Sequence, residues 1–193
     1  PSDIIKSYII GKYEQDDETG KQIFNNNWKN IEDLSKQYGF KIDDFVVFYE
    51  YYKLKSNPKR QVVDELRDII QRSDVYELVA ELNSFSESLR KVYESKDACI
   101  LALRYIPWKF YVMTALTSAY QVNYPEKEKL FKEIRRFFYI SLVAGCTLNQ
   151  IKQTSFKLIE SIVNGNSIED IKEDLNRTII SRRMYAKVYD ALD

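Results

Sequence analysis

Aromatic side chains stand beside basic ones between residues 45 and 60, and this pairing is the first feature that could do chemistry. The rings are followed directly by cations, and the set is Phe45, Phe48, Tyr49, Tyr51, Tyr52, Lys53, Lys55, Lys59 and Arg60. Aromatic faces next to basic side chains are typical of proteins that hold unpaired nucleobases. Most of these rings also recur at helical spacing, as they do on a helix packed into a core. Core packing is the favoured interpretation, and nucleic-acid contact is the alternative.

Two arginine pairs are the second feature. Arg135 and Arg136 precede a run of aromatic residues, and Arg182 and Arg183 stand near the end of the chain. A guanidinium can bind a phosphate or a carboxylate through two parallel hydrogen bonds. Acidic residues occur close to both pairs in sequence, at Glu128, Glu133, Asp170 and Glu173. A structural role in ion pairs is therefore favoured over a ligand-binding role.

The chain contains no histidine. This excludes catalytic triads and dyads that use an imidazole, and it excludes HNH and HExxH metal sites. The sequence also lacks GxxxxGK[ST] and GxGxxG, so it has no recognised phosphate-binding loop. Carboxylates alone could bind a metal, but the acidic residues are scattered along helix faces. We therefore expect no catalytic residue, no metal site and no cofactor in this chain.

Composition narrows the class of protein further. The 29 basic residues balance the 29 acidic ones, so net charge gives no long-range attraction to nucleic acid or to an anionic membrane. No apolar run approaches the roughly 18 to 20 residues that a membrane-spanning helix needs. Cys99 and Cys146 stand in apolar surroundings without CxxC spacing, which favours buried thiols in a reducing compartment over a disulfide. We expect a cytoplasmic protein.

The elements that must position these residues are helices. Apolar residues recur three and four apart almost throughout, and the 5 glycines and 4 prolines are too few for a many-stranded fold. The clearest helix begins at Ser73 or Asp74 and directs Leu82 and Phe85 inward. About ten helices result, and we expect an all-α fold, an irregular multi-helix bundle.

Several helix boundaries can be predicted from local signals. The polar stretch Glu14–Gln22 is expected to be a loop, and a helix is expected after Asn25–Asn27. Pro58 suits the first turn of the helix that contains it, the fourth in the chain. Further starts are expected at Asp43 or Asp44, Asp97, Pro107, Pro125, Thr147 and Ser167. The last helix would be capped by Ser181 and carry Met184, Val188 and Leu192.

We expect one helical domain over residues 1–193, with a possible division into lobes 1–95 and 96–193 near Ser95–Asp97. The helices differ too much in length to suggest a tandem helical repeat. The chain opens with Pro-Ser-Asp and has no initiator methionine or signal-like segment. We therefore expect it to be a piece of a longer protein.

Three stretches, taken together, resemble a known family. The first is Ser2–Ile9, with the sequence SDIIKSYI, which is similar to an S-D-L-I-K-N-Y segment. The second is Phe24–Tyr52, with Trp28 and the later Phe45-x-x-Phe48-Tyr49, which is similar to a W…FL…Y region. The third, Arg135–Ile159, resembles an R-R-x-x-x-G-x-x-T-N…F…L helix pair. In this order and separation they resemble the central region of GmrSD-type restriction proteins.

The resemblance implies what lies on either side and what this chain does. In that family a ParB/sulfiredoxin-like domain hydrolyses nucleotide through a DGQQR-type motif, and an HNH domain, where present, cuts DNA. Neither motif occurs here, so no catalytic residue of the family can be placed on this sequence. The parent protein would be an NTP-dependent endonuclease of an anti-phage restriction system, and this fragment would not be an enzyme.

The resemblance therefore predicts a helical central domain. Its partners would be the nucleotide-binding and nuclease domains of the same protein, which it would position, and DNA, with no role for a membrane. The candidates for DNA contact are Lys55, Arg60, Arg135 and Arg182. The alternative is a freestanding helical adaptor that binds a protein through an apolar groove. A continuous positive cleft would favour DNA contact, and an apolar groove without a basic face would favour the adaptor.

Overall fold

The computed structural model describes residues 1–190, and those residues form eleven helices and no strand. The predicted all-α fold is confirmed. The helices are α1 (Ser2–Ile10), α2 (Glu18–Tyr38), α3 (Ile42–Leu54), α4 (Val62–Arg72), α5 (Val75–Tyr93), α6 (Ala98–Leu103), α7 (Lys109–Gln121), α8 (Lys127–Val143), α9 (Leu148–Val163), α10 (Ile168–Ser181) and α11 (Met184–Asp190). Leu192, expected on the last helix, lies outside the described residues.

Local capping explains several of the helix starts. The Asp74 carboxylate accepts hydrogen bonds from the backbone N–H groups of Tyr76 and Glu77, and Asp97 does the same at the start of α6. The Ser167 hydroxyl accepts one from the Asp170 N–H at 3.1 Å. These side chains satisfy N–H groups that have no partner within their own helix. The predicted starts at Asp74, Asp97 and Ser167 are confirmed.

Three predicted boundaries were wrong. Residues 18–22 are helical, because the Asp17 carboxylate caps α2 by accepting from the Gly20 N–H at 2.9 Å. Helix α2 therefore runs through Asn25–Asn27 instead of following them. Pro58 lies before α4, which begins only at Val62. Ser181 ends α10 instead of capping α11, because Arg183 adopts a positive φ of 52° between the two helices.

Helix α7 lies at the centre of the core. Every residue from Tyr111 to Ala119 is buried. The helix packs against α3, α5, α8 and α9, so its neighbours come from both halves of the chain. The buried apolar side chains form one continuous cluster across Ser95–Asp97. The division into lobes 1–95 and 96–193 stays a prediction.

Helices α3 and α7 run in the same direction. Near their starts Lys109 Nζ lies 2.8 Å from Asp44 Oδ2, and further along Thr114 Oγ1 lies 3.4 Å from the Phe48 carbonyl oxygen. Helix α5 runs against them, because Tyr93 at its end stacks on Phe40, which precedes α3. One end of the bundle therefore collects the start of α3, the end of α5 and the start of α7. We call it the Tyr105 end and the opposite one the Lys55 end.

The C-terminal helices continue this alternation. Helix α8 runs against α7, with Phe131 beside Tyr120 and Phe138 beside Trp108. Helix α9 is parallel to α7, as the contacts Tyr111–Phe156 and Tyr124–Asn166 show. Helix α10 is antiparallel to α9, as the contacts Lys157–Asp174 and Thr154–Thr178 show. The end of α8, the start of α9 and the end of α10 therefore all lie at the Tyr105 end.

The expected inward stripe of α5 is confirmed. Leu82 is 5% exposed and Phe85 is fully buried, with the Phe85 ring edge-on to Phe45 and Tyr49. Burial of such side chains contributes roughly 1.5 to 3 kcal/mol each relative to exposure. The stripe joins α5 to α3 across the middle of the core.

Replacing Leu82 by alanine should leave a cavity in this stripe. The expected loss in the free energy of unfolding is about 2 to 5 kcal/mol, measured by urea denaturation followed by circular dichroism. Lys91→Ala, at an exposed position of the same helix, should leave stability nearly unchanged. A loss below about 0.5 kcal/mol for Leu82→Ala, the range of ordinary surface substitutions, would contradict the packing of this stripe.

Candidate functional site

The first two DNA-contact candidates lie at the Lys55 end. Lys55 follows α3 with φ 54°, and its backbone N–H caps the helix by donating to the Tyr51 carbonyl. Arg60 lies in the connection to α4, where its Nη2 is 2.7 Å from Asp68 Oδ2 and 3.1 Å from Glu65 Oε2. The Glu65 carboxylate also accepts a hydrogen bond from the Arg60 backbone N–H, so it anchors the connection between α3 and α4 to α4. Arg60 is thus committed to a local ion-pair network.

The third candidate, Arg135, lies on α8 and forms an ion pair with Asp97, the residue that caps α6. Its neighbour Arg136 bonds to Glu133 Oε2 at 2.8 Å and to Asn176 Oδ1 at 2.6 Å. The two arginines therefore tie α8 to α6 and to α10. Glu133 is one of the acidic residues noted beside this pair in the sequence, whereas Asp97 is not.

The fourth candidate, Arg182, lies at the Tyr105 end, where it follows α10 and is exposed. Within the described part of the chain neither Arg182 nor Lys55 has a carboxylate oxygen within 4.0 Å of its charged group. Helix α10 has 14 residues, so about 20 Å of helix separates the two ends. The four candidates therefore do not form one cluster, and their contact with DNA stays a prediction.

The aromatic run on α3 is part of the core, as its helical spacing predicts. Phe45, Phe48 and Tyr49 are each at most 3% exposed. Tyr51 packs edge-on against Phe156, and burial raises the pKa of Tyr52 to about 12. These rings have protein partners on their faces and edges. They are not available to stack on bases.

A different group of aromatic and basic residues forms an open cavity of about 350 Å³ at the Tyr105 end. We call it the aromatic–arginine pocket, and it comprises Tyr38, Phe40, Tyr93, Arg104, Tyr105 and Lys109. The ends of α2, α5 and α6 meet the start of α7 there. Its only local signal in the sequence is an arginine beside a tyrosine, because its residues come from segments up to about 70 positions apart.

Exposed apolar side chains are concentrated at the same end. Of the ten large ones among the described residues, six lie at the end of α8, the start of α9, the end of α10 and along the short helix α11. They are Leu142, Val143, Leu148, Ile180, Tyr185 and Tyr189, and we call them the apolar end surface. Ile180 and Tyr189 are 70% and 69% exposed. The six residues belong to four different helices, so sequence reasoning missed the surface.

Glu50 is an unusual carboxyl in the core of α3. It is 2% exposed, and its Oε1 has no hydrogen-bond partner. Burial, together with the nearby Glu65 carboxylate, raises the pKa of Glu50 to about 7. Burial disfavours the charged form of any isolated acid. Glu50 is therefore protonated in the folded protein at mildly acidic pH.

Cys146 is buried as expected, but Cys99 is exposed, because it lies in the first turn of the short helix α6 on its solvent side; both thiols are free.

In residues 1–190 no three or more Cys, Asp or Glu side chains are grouped so as to hold a metal ion. Across the same residues no helix has the length and hydropathy that crossing a bilayer requires.

Glu50→Gln should change how stability depends on pH. The folded pKa near 7 exceeds the usual 4.5, so the stability of the wild-type protein falls as pH rises from about 4.5 to beyond 7. The substitution should remove about 2 to 4 kcal/mol of that fall, measured by urea unfolding between pH 5 and 8. Exposed Glu128→Gln should keep the wild-type slope. Parallel pH profiles for wild type and Glu50→Gln would contradict a raised pKa.

The DNA-contact prediction can be tested at Lys55 and Arg182, where no ion pair is broken. The double variant Lys55→Gln/Arg182→Gln should bind duplex DNA more weakly. Each lost phosphate contact should reduce the slope of log K against log salt by about 0.9. Lys36→Gln/Lys91→Gln removes the same charge from other exposed positions and should leave the slope unchanged. An unaltered affinity and slope in the first variant would show that these two residues do not face DNA.

No family model, curated protein or solved structure matches this chain. The resemblance to GmrSD-type restriction proteins therefore depends on the three stretches themselves, Ser2–Ile9, Phe24–Tyr52 and Arg135–Ile159. It stays a prediction.

Proposed function

We propose that this chain is the helical central domain of a nucleotide-dependent, anti-phage DNA restriction protein of the GmrSD type. Its role is to position the nucleotide-binding and nuclease domains of that protein relative to one another. The observation that carries the proposal is the apolar end surface, where three helix ends and the short helix α11 expose six large apolar side chains. Concentrated apolar exposure of this kind marks surfaces that pack against another protein or domain.

The residues that carry the family resemblance are those that hold the helices in place. Trp28 and Phe45 are each 1% exposed in the core, and Arg135 and Arg136 tie α8 to its neighbours. Gly145 has φ 61°, which turns the chain between α8 and α9 at a position that favours glycine. A family that shared these residues would share a rigid frame. That supports a positioning role for this region.

The apolar end surface suits a domain of the same protein. Interfaces between domains of one chain bury roughly 600 to 1,500 Å² and are more polar than obligate interfaces. A covalent link raises the effective concentration of the partner to the millimolar range, so a moderate surface is sufficient. Arg182 is also exposed at this end, which gives the surface a polar rim.

The alternative is a freestanding adaptor that binds a separate protein through the same surface. The separation of the four basic candidates favours protein contact over a continuous positive cleft for DNA. The two functions differ in the partner that the apolar end surface accepts. Only the restriction protein requires that partner to be a nucleotide-binding or nuclease domain encoded with this chain.

The test is direct binding between this chain and the separately produced nucleotide-binding and nuclease domains of its parent protein, by sedimentation velocity. At least one domain should bind. Val143→Gln/Ile180→Gln should weaken that binding about tenfold or more, because burying two aliphatic side chains contributes several kcal/mol. Ile4→Gln/Ile23→Gln changes two other apolar residues, 48% and 52% exposed, on a different part of the surface and should have no effect. Binding of neither domain would contradict the proposal, and equal loss in both variants would place the contact on another surface.

A further inference from the structure

The aromatic–arginine pocket has the dimensions of a ligand site. Its volume of about 350 Å³ lies within the roughly 300 to 1,000 Å³ of small-molecule pockets. Helix ends surround it, so its walls are backbone segments fixed by the core. Gly39, with φ 69°, ends α2 at its edge and turns the chain so that Tyr38 and Phe40 both reach Tyr93. The pocket is therefore a built feature of the Tyr105 end.

Stacked rings form one wall of the pocket. The centroid of Tyr93 lies 5.0 Å from that of Tyr38, with 19° between the planes, and 5.2 Å from that of Phe40, with 12°. Tyr105 extends the aromatic surface outward and is 75% exposed. An exposed ring next to a cavity offers a flat face to a planar ligand. Stacking on such a face accepts any nucleobase.

Arg104 is a cation of the pocket that has no carboxylate partner among the described residues. Its guanidinium carbon lies 4.7 Å from the centroid of Tyr105 and 5.8 Å from that of Tyr93, so it sits beside both rings. Its Nε is buried and has no hydrogen-bond partner, and no carboxylate among the described residues lies within ion-pair distance of it. A buried N–H without a partner is costly. The charge of the Arg104 guanidinium, which has no carboxylate partner among these residues, is therefore left for an anion that enters the cavity.

The surroundings of Arg104 favour an anion over a cation. Lys41 and Lys109 also line the cavity, and the single carboxylate there, Asp44, is occupied by Lys109 at 2.8 Å. Helix α7 starts at this cavity without a side-chain cap and without an acidic residue in its first turn. Its N-terminal partial positive charge therefore adds to that of the side chains. The local charge is positive although the whole chain is neutral.

We propose that the aromatic–arginine pocket binds a nucleotide, with the base stacked on Tyr105 and the phosphate held by Arg104 and Lys41. A planar ring and an adjacent phosphate are the two groups that this combination of aromatic faces and free guanidinium recognises. The site goes beyond the proposed positioning role and does not depend on it. The nucleotide can come from two sources, as a free mononucleotide or as one residue of a single strand.

The two sources are distinguished with three probes. Fluorescein-labelled single-stranded (dT)10 is titrated by fluorescence anisotropy, and unlabelled dTMP and inorganic phosphate are used as competitors. Binding of (dT)10 that millimolar dTMP does not displace assigns the site to a strand. Displacement by dTMP, with direct dTMP binding seen by calorimetry, assigns it to a free nucleotide. Inorganic phosphate should compete much more weakly than dTMP, because it cannot stack on the ring.

Two variants test the residues, and two more serve as controls. Arg104→Gln removes the free guanidinium, and Tyr105→Leu removes the exposed ring; each should weaken binding about tenfold or more. Arg177→Gln removes the same charge from an exposed site on α10, and Tyr76→Leu removes a ring that is 58% exposed on α5. Neither control should change the affinity. Because Tyr105 is largely exposed, its substitution does not threaten folding, and circular dichroism verifies each variant.

The proposal is overturned if neither (dT)10 nor dTMP binds at millimolar concentration. It is equally overturned if Arg104→Gln and Tyr105→Leu bind as the wild type does, which would move the contact elsewhere. Displacement of bound (dT)10 by inorganic phosphate at the same concentration as by dTMP would reduce the site to an anion site and would contradict the stacking of a base. All these measurements use the chain alone. A failure here therefore leaves the domain-binding experiment of the preceding section unaffected.

Discussion

Helix α7 has no side that faces water between Tyr111 and Ala119, and this constraint determines the positions of its neighbours. A helix buried all round must be covered by several others, and here α3, α5, α8 and α9 cover it. Ala115 and Ala119 are fully buried, and their small side chains let those helices approach closely. The buried Thr114 hydroxyl donates a hydrogen bond to the Phe110 carbonyl of its own helix at 2.7 Å. These four helices come from both halves of the chain. Because each of them packs on α7, the positions of their ends are fixed as well.

The sequence predicted those parts of the fold that depend on local chemistry. Asp74 and Ser167 cap helices through bonds to N–H groups two or three residues away, so their positions could be read directly. The inward stripe with Leu82 and Phe85 follows from periodicity alone. The start of α2 was missed because Asp17 lies in a polar stretch with few apolar residues to mark a helix. Pro58 is a residue type that suits the first turn of a helix. It lies instead in the connection between α3 and α4, whose backbone is hydrogen-bonded to the Glu65 carboxylate.

The functional surfaces could not be read in the same way, since they depend on distant residues. Arg135 was a candidate for DNA contact by type, but its partner Asp97 lies 38 positions away and no local signal joins them. Tyr38, Tyr93 and Arg104 meet only because three helices end at the same place. The Tyr105 end thus combines a positive aromatic cavity with an apolar surface. Both features are formed by helix ends, which lie close together because the helices pack around α7.

The central position of α7 also has a consequence for the order in which the molecule can be made. Its covering partner α3 precedes it by more than 50 residues, and α9 ends only at Val163. During synthesis the apolar faces of α3, α5 and α7 therefore stay without their last cover until α9 has emerged from the ribosome. Contacts between such distant segments slow folding, because the loops between them must close first. The nascent chain is thus most vulnerable to aggregation, and most dependent on chaperones, just before α9 appears.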